Sequence, residues 1–285
     1  MICVREIKVF FLFWACLCCS ACSPFKTEFT SHFHIYSTVN QESMVSIKDN
    51  LEGYYANIVP RYFPKGIDYP LSIFYFKNQT EAQNGIKAAG LDGDFAYYRG
   101  LYFGDVRAIY TYRMENNGEV QGWGTLFHEI THHLITLNYR NQPRWFSEGL
   151  SAFLGEYSRI NKDGRLNLGR PNPWRAEILN DNIKKGMPID IGHMMSLSNE
   201  AFDKWQPGKS FSWSLFFWIY SQGKLEAYLR NVRQKGYGVN VLEDTVAMPA
   251  AEINRALDLF ISNAVIPMVS RKNTGMNKGV DPFLL

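Results

Sequence analysis

The chain has 285 residues, enough for one large domain or two closely packed ones with a substantial hydrophobic core. Aromatic residues make up 15% of it, which indicates a packed globular protein and argues against an intrinsically disordered one. The net charge of +3 is too small to indicate nucleic-acid binding by electrostatic attraction, so we expect no nucleic-acid partner.

All five cysteines lie within the first 22 residues, in a segment with the layout of a secretory signal. Arg5 and Lys8 precede an apolar run that is too short to span a membrane comfortably, and small residues follow it. The residues around Cys22 are similar to a bacterial lipoprotein cleavage site, although Cys19 stands where an aliphatic residue is usual. We therefore expect residues 1–22 to be a signal peptide of lipoprotein type, with plain secretion and an uncleaved anchor as alternatives.

Export of this kind predicts a periplasmic protein that is anchored to the membrane through a lipid on Cys22. Beyond Cys22 the chain contains no cysteine, so no disulfide is expected within it and no metal ligand can be a thiolate.

The next segment, residues 23–122, is predicted to be an α/β part in which strands and helices alternate. Strands are expected at residues 31–37 and 69–76, and helices at residues 41–58 (ended by Pro60) and 80–89. Two more strands, residues 94–98 and 107–112, are predicted to pair across a turn at Gly100 to Gly104. The edge of such a sheet could bind an extended peptide as an added strand, or the sheet could simply cover the helix that follows. His32 and His34 share one face of the first strand, a position more typical of exposed histidines than of metal ligands.

The helix predicted at residues 123–137 contains the sequence His-Glu-x-x-His. His128 and His132 are four residues apart, so a helix places them on one face, where they can offer two imidazole nitrogens to one metal ion. Glu129 lies beside that pair and could take a proton from a metal-activated water, as in zinc proteases. His133 is on the same face as Glu129, either bordering the site or packed as a neighbour. The competing interpretation is a helix with ordinary buried or surface histidines.

A catalytic zinc ion usually takes three protein ligands, so the two histidines need a partner. A second helix is predicted from Pro143 to Leu154 with Asn141 as its N-cap, and an antiparallel return would place Glu148 beside the first helix. Glu156 is the rival carboxylate, and Glu148 is preferred. Gly149 is expected to let the two helices approach closely.

The remaining residues, 158–269, are predicted to be mainly helical after a hairpin at Asp163-Gly164, and residues 270–285 are predicted to be a loose tail. Helices are expected at residues 209–221, 225–235 and 250–265. The predicted class is therefore α+β: a mixed N-terminal sheet, the metal-binding helices at residues 123–157, and a helical C-terminal part.

The sequence HEITH followed by WFSEGLSAF resembles the gluzincin metallopeptidases, in particular the peptidase-MA-like families of bacterial envelope proteins. The resemblance implies that His128, His132 and Glu148 bind one zinc ion and that Glu129 is the catalytic base. It also implies a zincin fold with the site in a cleft between the two parts, and hydrolysis of peptide bonds in peptide or protein substrates. Only the two motifs are specific.

One part of the chain departs from the gluzincin pattern. Gluzincins commonly carry a Tyr or His that stabilises the oxyanion, but Lys209-Ser210-Phe211 occupies the place where related proteins often show Tyr. Tyr139, Tyr157, Tyr220 and His193 are all candidates for that role. Two alternatives therefore stand beside the peptidase: a weak or inactive zincin-fold binding protein, and a zinc hydrolase acting on a non-peptide envelope substrate.

Overall fold

The computed structural model describes residues 25–95, 98–113, 115–116, 119–120 and 123–267. The predicted signal peptide with Cys22, and the predicted tail from residue 270, lie outside the described residues. None of the helices in the described ranges is long and apolar enough to cross a membrane.

A mixed five-stranded sheet forms the N-terminal part, in the order β1-β2-β3-β5-β4. Strands β2, β3 and β5 are parallel to one another, and the two edge strands, β1 and β4, are antiparallel to their neighbours. In the register, Ile35 lies opposite Ile73 and Ile73 opposite Ile109; all three are fully buried and line one face. The strands are β1 (Lys26–Phe29), β2 (Phe33–Ser37), β3 (Leu71–Phe76), β4 (Gly100–Phe103) and β5 (Ala108–Tyr112).

Two helices, α1 (Gln41–Tyr62) and α2 (Gln79–Ala88), connect these strands. Each follows an asparagine, Asn40 or Asn78, whose side chain accepts a hydrogen bond from a backbone N–H of the first turn. The prediction that Pro60 ends α1 was wrong, because the helix continues to Tyr62. A proline in the last turn removes only one hydrogen bond, and the burial of Tyr62 favours completing the turn.

The predicted pairing of residues 94–98 with 107–112 was also wrong in its first strand. β4 begins at Gly100 and pairs with β5, and the reversal is a 3₁₀ turn at Gly104–Val106 followed by Arg107 at a φ of 48°. Gly100 resembles a turn residue in the sequence, but it lies within the strand. Glycine is needed there because a Cβ would collide with Thr125 of the next helix.

The two predicted site helices are confirmed as α3 (Trp123–Asn138) and α4 (Arg144–Gly155). They follow a small two-stranded sheet, β6 (Glu115–Asn116) and β7 (Glu119–Val120), and α3 packs against β4, β5 and α4. The predicted N-cap was wrong: α4 starts after Pro143, and Asn141 adopts a φ of 49° in the connection.

The C-terminal part is helical, as predicted, after a hairpin that turns at Gly164. Its helix α8 is buried nearly all round and packs against α4, while one hydrophobic cluster continues from the sheet into these helices. The fold is therefore α+β. The C-terminal elements are β8 (Arg159–Ile160), β9 (Leu166–Asn167), α5 (Pro173–Lys184), α6 (Ile191–Ser196), α7 (Asn199–Lys204), α8 (Gly208–Ser221), α9 (Leu225–Lys235), α10 (Val239–Val246) and α11 (Ala250–Phe260), which continues as a π-helical turn (Ile261–Val265).

Candidate metal centre

Three side chains of α3 and α4 converge on one point. One ligand atom from each of His128, His132 and Glu148 lies within 4.8 Å of the others. The two Nε2 atoms are 3.0 Å apart, and the Glu148 carboxylate oxygens lie 3.8 and 3.9 Å from them. The helical spacing of the histidines and the antiparallel return of α4 produce this arrangement, so the structure brings the three predicted ligands together. The group could hold a metal ion.

The protonation of the histidines suits a metal. Burial lowers the pKa of His128 to about 4 and that of His132 to about 3, so both imidazoles are neutral at physiological pH. The Nδ1 atom of His132 lies 2.8 Å from the Ser147 hydroxyl, and that of His128 lies 3.5 Å from a Glu156 carboxylate oxygen. In the tautomers that carry the proton on Nδ1, the two Nε2 lone pairs face each other, an arrangement that a cation stabilises.

Glu148 is ionised and has cationic neighbours. Burial by itself would raise the pKa of Glu148, but the adjacent imidazoles, Lys209 and Arg144 outweigh it and hold the pKa well below its usual range. Lys209 Nζ lies 3.2 Å from one carboxylate oxygen, and an Arg144 guanidinium nitrogen lies 3.1 Å from the other. Neither cation was identified from the sequence as a site residue. Lys209 is 61 positions from Glu148, whereas Arg144 lies four residues before Glu148 on α4, a spacing that could have indicated the contact.

Glu129 lies between the triad and the edge strand β4. A Cβ at Gly100 would be 3.1 Å from the Glu129 Cγ, and the backbone N–H of Tyr102 donates a hydrogen bond to the Glu129 carboxyl group. Burial, reinforced by the charge of Glu148, raises the pKa of Glu129 to about 8. A positive charge at the triad would lower that pKa and favour the carboxylate form, which is the form that accepts a proton.

Glu156, the rival ligand in the sequence, occupies a different position. It faces Nδ1 of His128, the nitrogen directed away from the triad centre, and bonds to Arg175 and Asn172. Arg175 is 3% exposed, so this is a buried ion pair behind the histidine. The preference for Glu148 over Glu156 agrees with the geometry, and Glu156 is placed to orient His128 rather than to hold the ion.

Replacing Glu156 with glutamine is therefore expected to weaken metal binding without removing a ligand. Outer-shell carboxylates of this kind typically contribute about 10–100-fold to metal affinity, so we expect a loss in that range. The measurement is zinc affinity by chelator competition on folded protein. Glu226→Gln, which alters an exposed carboxylate on α9, is the control. An unchanged affinity in Glu156→Gln would show that Glu156 does not orient the histidine.

Glycines set the spacing of the two site helices, though not the glycine that we expected. A Cβ at Gly149 would meet Ser212 and Phe216 of α8, so Gly149 lets α8, and not α3, approach α4. The close contact between α3 and α4 instead depends on Gly155, where a Cβ would collide with the His128 backbone, and on Gly124, where it would collide with Glu156.

His133 is a packed neighbour, the second of the two positions considered for it. It is 1% exposed, and its Nδ1 shares a hydrogen bond of 2.8 Å with the Tyr102 hydroxyl. Since the Tyr102 backbone also bonds to Glu129, this pair ties β4 to the helix that carries the motif.

Acid is expected to destabilise the metal-free protein through these buried histidines. Burial lowers the His133 pKa to about 4, below the 6.5 of an exposed histidine, so between these pH values the unfolded chain binds more protons. The free energy of unfolding should therefore fall as the pH drops from about 6.5 to about 4, by up to about 3 kcal/mol for His133 alone. His128 and His132 act in the same direction.

The measurement is urea unfolding with a chelator present at pH 7 and pH 5. His133→Gln should flatten the pH dependence in part, whereas His193→Gln, which alters an exposed histidine on α6, should leave it as in the parent protein. An undiminished dependence in His133→Gln would contradict the assignment.

The four candidates for oxyanion stabilisation occupy different places. Tyr139 is 2% exposed and hydrogen-bonds to groups of α1 and α9. His193 lies in α6 and packs against the tryptophan that follows α7. Tyr220 is near the far end of α8 from Lys209, about 16 Å along the helix axis, and packs on α4. Tyr157 follows α4 and is 42% exposed. The side chain that contacts Glu148 from this region is Lys209.

His32 and His34 are not part of the centre, and neither is fully exposed. His32 lies 2.7 Å from Glu52 and stacks on Tyr55, while His34 packs edge-on against Phe29. Within the described residues, the group of His, Cys, Asp and Glu side chains arranged to hold a metal is the triad of α3 and α4.

In comparisons with known proteins, no family model matched the chain and no curated protein matched it significantly. Function is therefore inferred from the geometry of the centre.

Proposed function

We propose that the chain is a zinc-dependent metallopeptidase of the bacterial cell envelope. The observation that carries the proposal is the convergence of His128, His132 and Glu148, with the carboxyl group of Glu129 held next to them and against an edge strand. Two neutral imidazoles and a carboxylate within reach of one another suit a zinc ion with an open coordination position.

Each side chain has a distinct role in this proposal. His128, His132 and Glu148 hold the ion, which when bound supplies a Lewis acid for the substrate carbonyl and lowers the pKa of water. Glu129 accepts the proton of the attacking water and delivers it to the leaving amine. The backbone N–H of Tyr102 fixes the Glu129 carboxyl group during both transfers.

The edge strand β4 supports a peptide as the substrate. The backbone of Tyr102 interacts with the Glu129 carboxyl group, so this edge strand runs directly beside the proposed base. An extended peptide that pairs with such an edge brings its own backbone carbonyls to the site, and main-chain hydrogen bonds bind it whatever its side chains.

The envelope location rests on the N-terminal sequence. The layout of residues 1–22 and the cleavage-site pattern at Cys22 support export and a lipid anchor on that cysteine. A matching test is mass spectrometry of the mature N-terminus, in which an unmodified Cys22 would remove the anchor from the proposal.

One observation favours a second candidate, a zincin-fold binding protein that holds zinc without turnover. The Tyr139 hydroxyl bonds to α1, and the rings of Tyr220 and His193 pack against Phe153 and Trp205, so none of these three is observed at the triad. A hydrolase acting on a non-peptide envelope component would use the same residues.

The deciding experiment is a substrate profile of the zinc-loaded protein. We expect cleavage of members of a peptide library, with dependence on added zinc after chelation. Zinc binding at one equivalent without cleavage of any peptide would favour the binding protein, and release of fragments from cell-wall material alone would favour the other hydrolase.

A further inference from the structure

Two cations flank Glu148 on the solvent side of the triad. The side chains of Lys209 and Arg144 are 39% and 40% exposed, whereas that of Glu148 is 6% exposed. Both cations therefore contact the third ligand from outside and remain within reach of a molecule that enters the site.

Glu148 is the carboxylate that Lys209 and Arg144 share. Its two oxygens face Lys209 and Arg144 as well as the two neutral imidazoles. Arg144 also pairs with Asp203, and Glu156 on the other side of His128 pairs with Arg175. A bound dication would take up much of the Glu148 charge and so weaken its pairing with Lys209 and Arg144.

A further arginine lies at the start of β4. Arg99 immediately precedes that strand, and its backbone carbonyl accepts a hydrogen bond from Thr111 of β5, so its position follows from the sheet. The guanidinium of Arg99 lies near Tyr157, two positions after the end of α4. This places one more positive charge at the end of the edge strand.

We propose that Lys209 and Arg144 form a recognition site for a carboxylate of the substrate. The inference rests on the proposed function and names its substrate class: peptides with an acidic side chain, or a free C-terminal carboxylate, next to the bond that is cleaved. Arg144 and Lys209 lie 3.1 and 3.2 Å from the two oxygens of the Glu148 carboxylate. The two side chains can therefore hold one carboxylate between them. A neutral peptide would bring no charge to replace that of Glu148 at Lys209, and Arg144 would keep only its pairing with Asp203.

The test measures peptide binding to the zinc-loaded Glu129→Gln protein by isothermal titration calorimetry, so that no turnover is needed. The probes are four forms of one peptide, with Glu or Gln at the residue next to the scissile bond and with a free or amidated C-terminus. We expect at least one anionic form to bind about 10–100-fold more tightly than the neutral form. Comparison of the four forms shows whether the side chain or the C-terminus supplies the carboxylate.

Variants then assign the preference to the two cations. Lys209→Met and Arg144→Gln should each reduce the preference for the anionic peptide about tenfold or more, with little change for the neutral one. Lys204→Met and Arg61→Gln remove exposed, ion-paired cations elsewhere and should leave the preference as it was. Circular dichroism and zinc content, measured on each variant, exclude misfolding.

Three outcomes would overturn the recognition site: equal affinity for all four peptides, binding of none at millimolar concentration, or equal weakening of all four by Lys209→Met. The last would indicate a role common to every ligand and not carboxylate recognition. Failure of the proposed peptidase function gives a different result, because a protein that cleaves nothing can still show the anionic preference and its loss in the two variants.

Discussion

Cleavage of any peptide substrate should fall by about 10²–10⁴-fold in Glu129→Gln, with zinc still bound at one equivalent. The amide occupies the same volume and can still accept the Tyr102 hydrogen bond, but it cannot take a proton from water. Steady-state kinetics and metal analysis on the same sample measure both quantities. Glu226→Gln, an exposed carboxylate, is the matched control and should retain full activity.

The same variant should be at least as stable as the parent when metal is absent. Burial raises the Glu129 pKa to about 8, above its usual 4.5, so at pH 7 the carboxyl group takes up a proton on folding, which costs on the order of 3 kcal/mol. Glutamine removes that cost, and urea unfolding at pH 7 measures the gain. Full activity in Glu129→Gln would eliminate Glu129 as the base, whatever its effect on stability.

Stoichiometric zinc binding should be lost in His132→Ala and strongly weakened in Glu148→Gln. Each variant removes one of three ligands. If each ligand contributes a proportional share of a typical zinc-binding free energy, the zinc affinity should fall by about 10²–10³-fold. Metal analysis after dialysis against a weak chelator gives the stoichiometry, and chelator competition gives the affinity.

His193→Ala is the control for the loss of an imidazole, since His193 is exposed on α6. Glu226→Gln again serves for the carboxylate. If both His132→Ala and Glu148→Gln kept a full equivalent of zinc, the triad would not be the metal site, and the proposed function would lose its basis.

Much of the fold follows from local sequence patterns. Apolar periodicity correctly identified α3, α8 and α9, since each helix buries a continuous face or, for α8, its whole surface. The φ of 67° at Gly90 marks the end of α2 in the way that the sequence indicated, whereas the caps Asn40 and Asn78 were not predicted. The short helices α5, α6, α7 and α10 were not predicted individually, because six to twelve residues with few buried positions give a weak periodic signal.

Errors arose where a residue has a tertiary reason for its identity. Gly100 resembles a turn residue in the sequence, but in the structure it packs against Thr125. Gly149 was expected at the contact between α3 and α4, but it packs against α8. Nothing within a few residues of either glycine indicates its distant neighbour.

For the centre itself, the sequence alone placed the two histidines together, because residues four apart on one helix share a face, and it placed Glu129 beside them. It also narrowed the third ligand to two carboxylates, Glu148 on the second predicted helix and Glu156 just beyond it, and preferred Glu148. Only the tertiary structure decided between them, since the packing of α4 on α3 at Gly155 and Gly124 places Glu148 in front of the imidazoles and Glu156 behind. The cations at Glu148 likewise depend on tertiary structure: Lys209 belongs to α8, which comes from a distant part of the chain and reaches the centre by packing on α4.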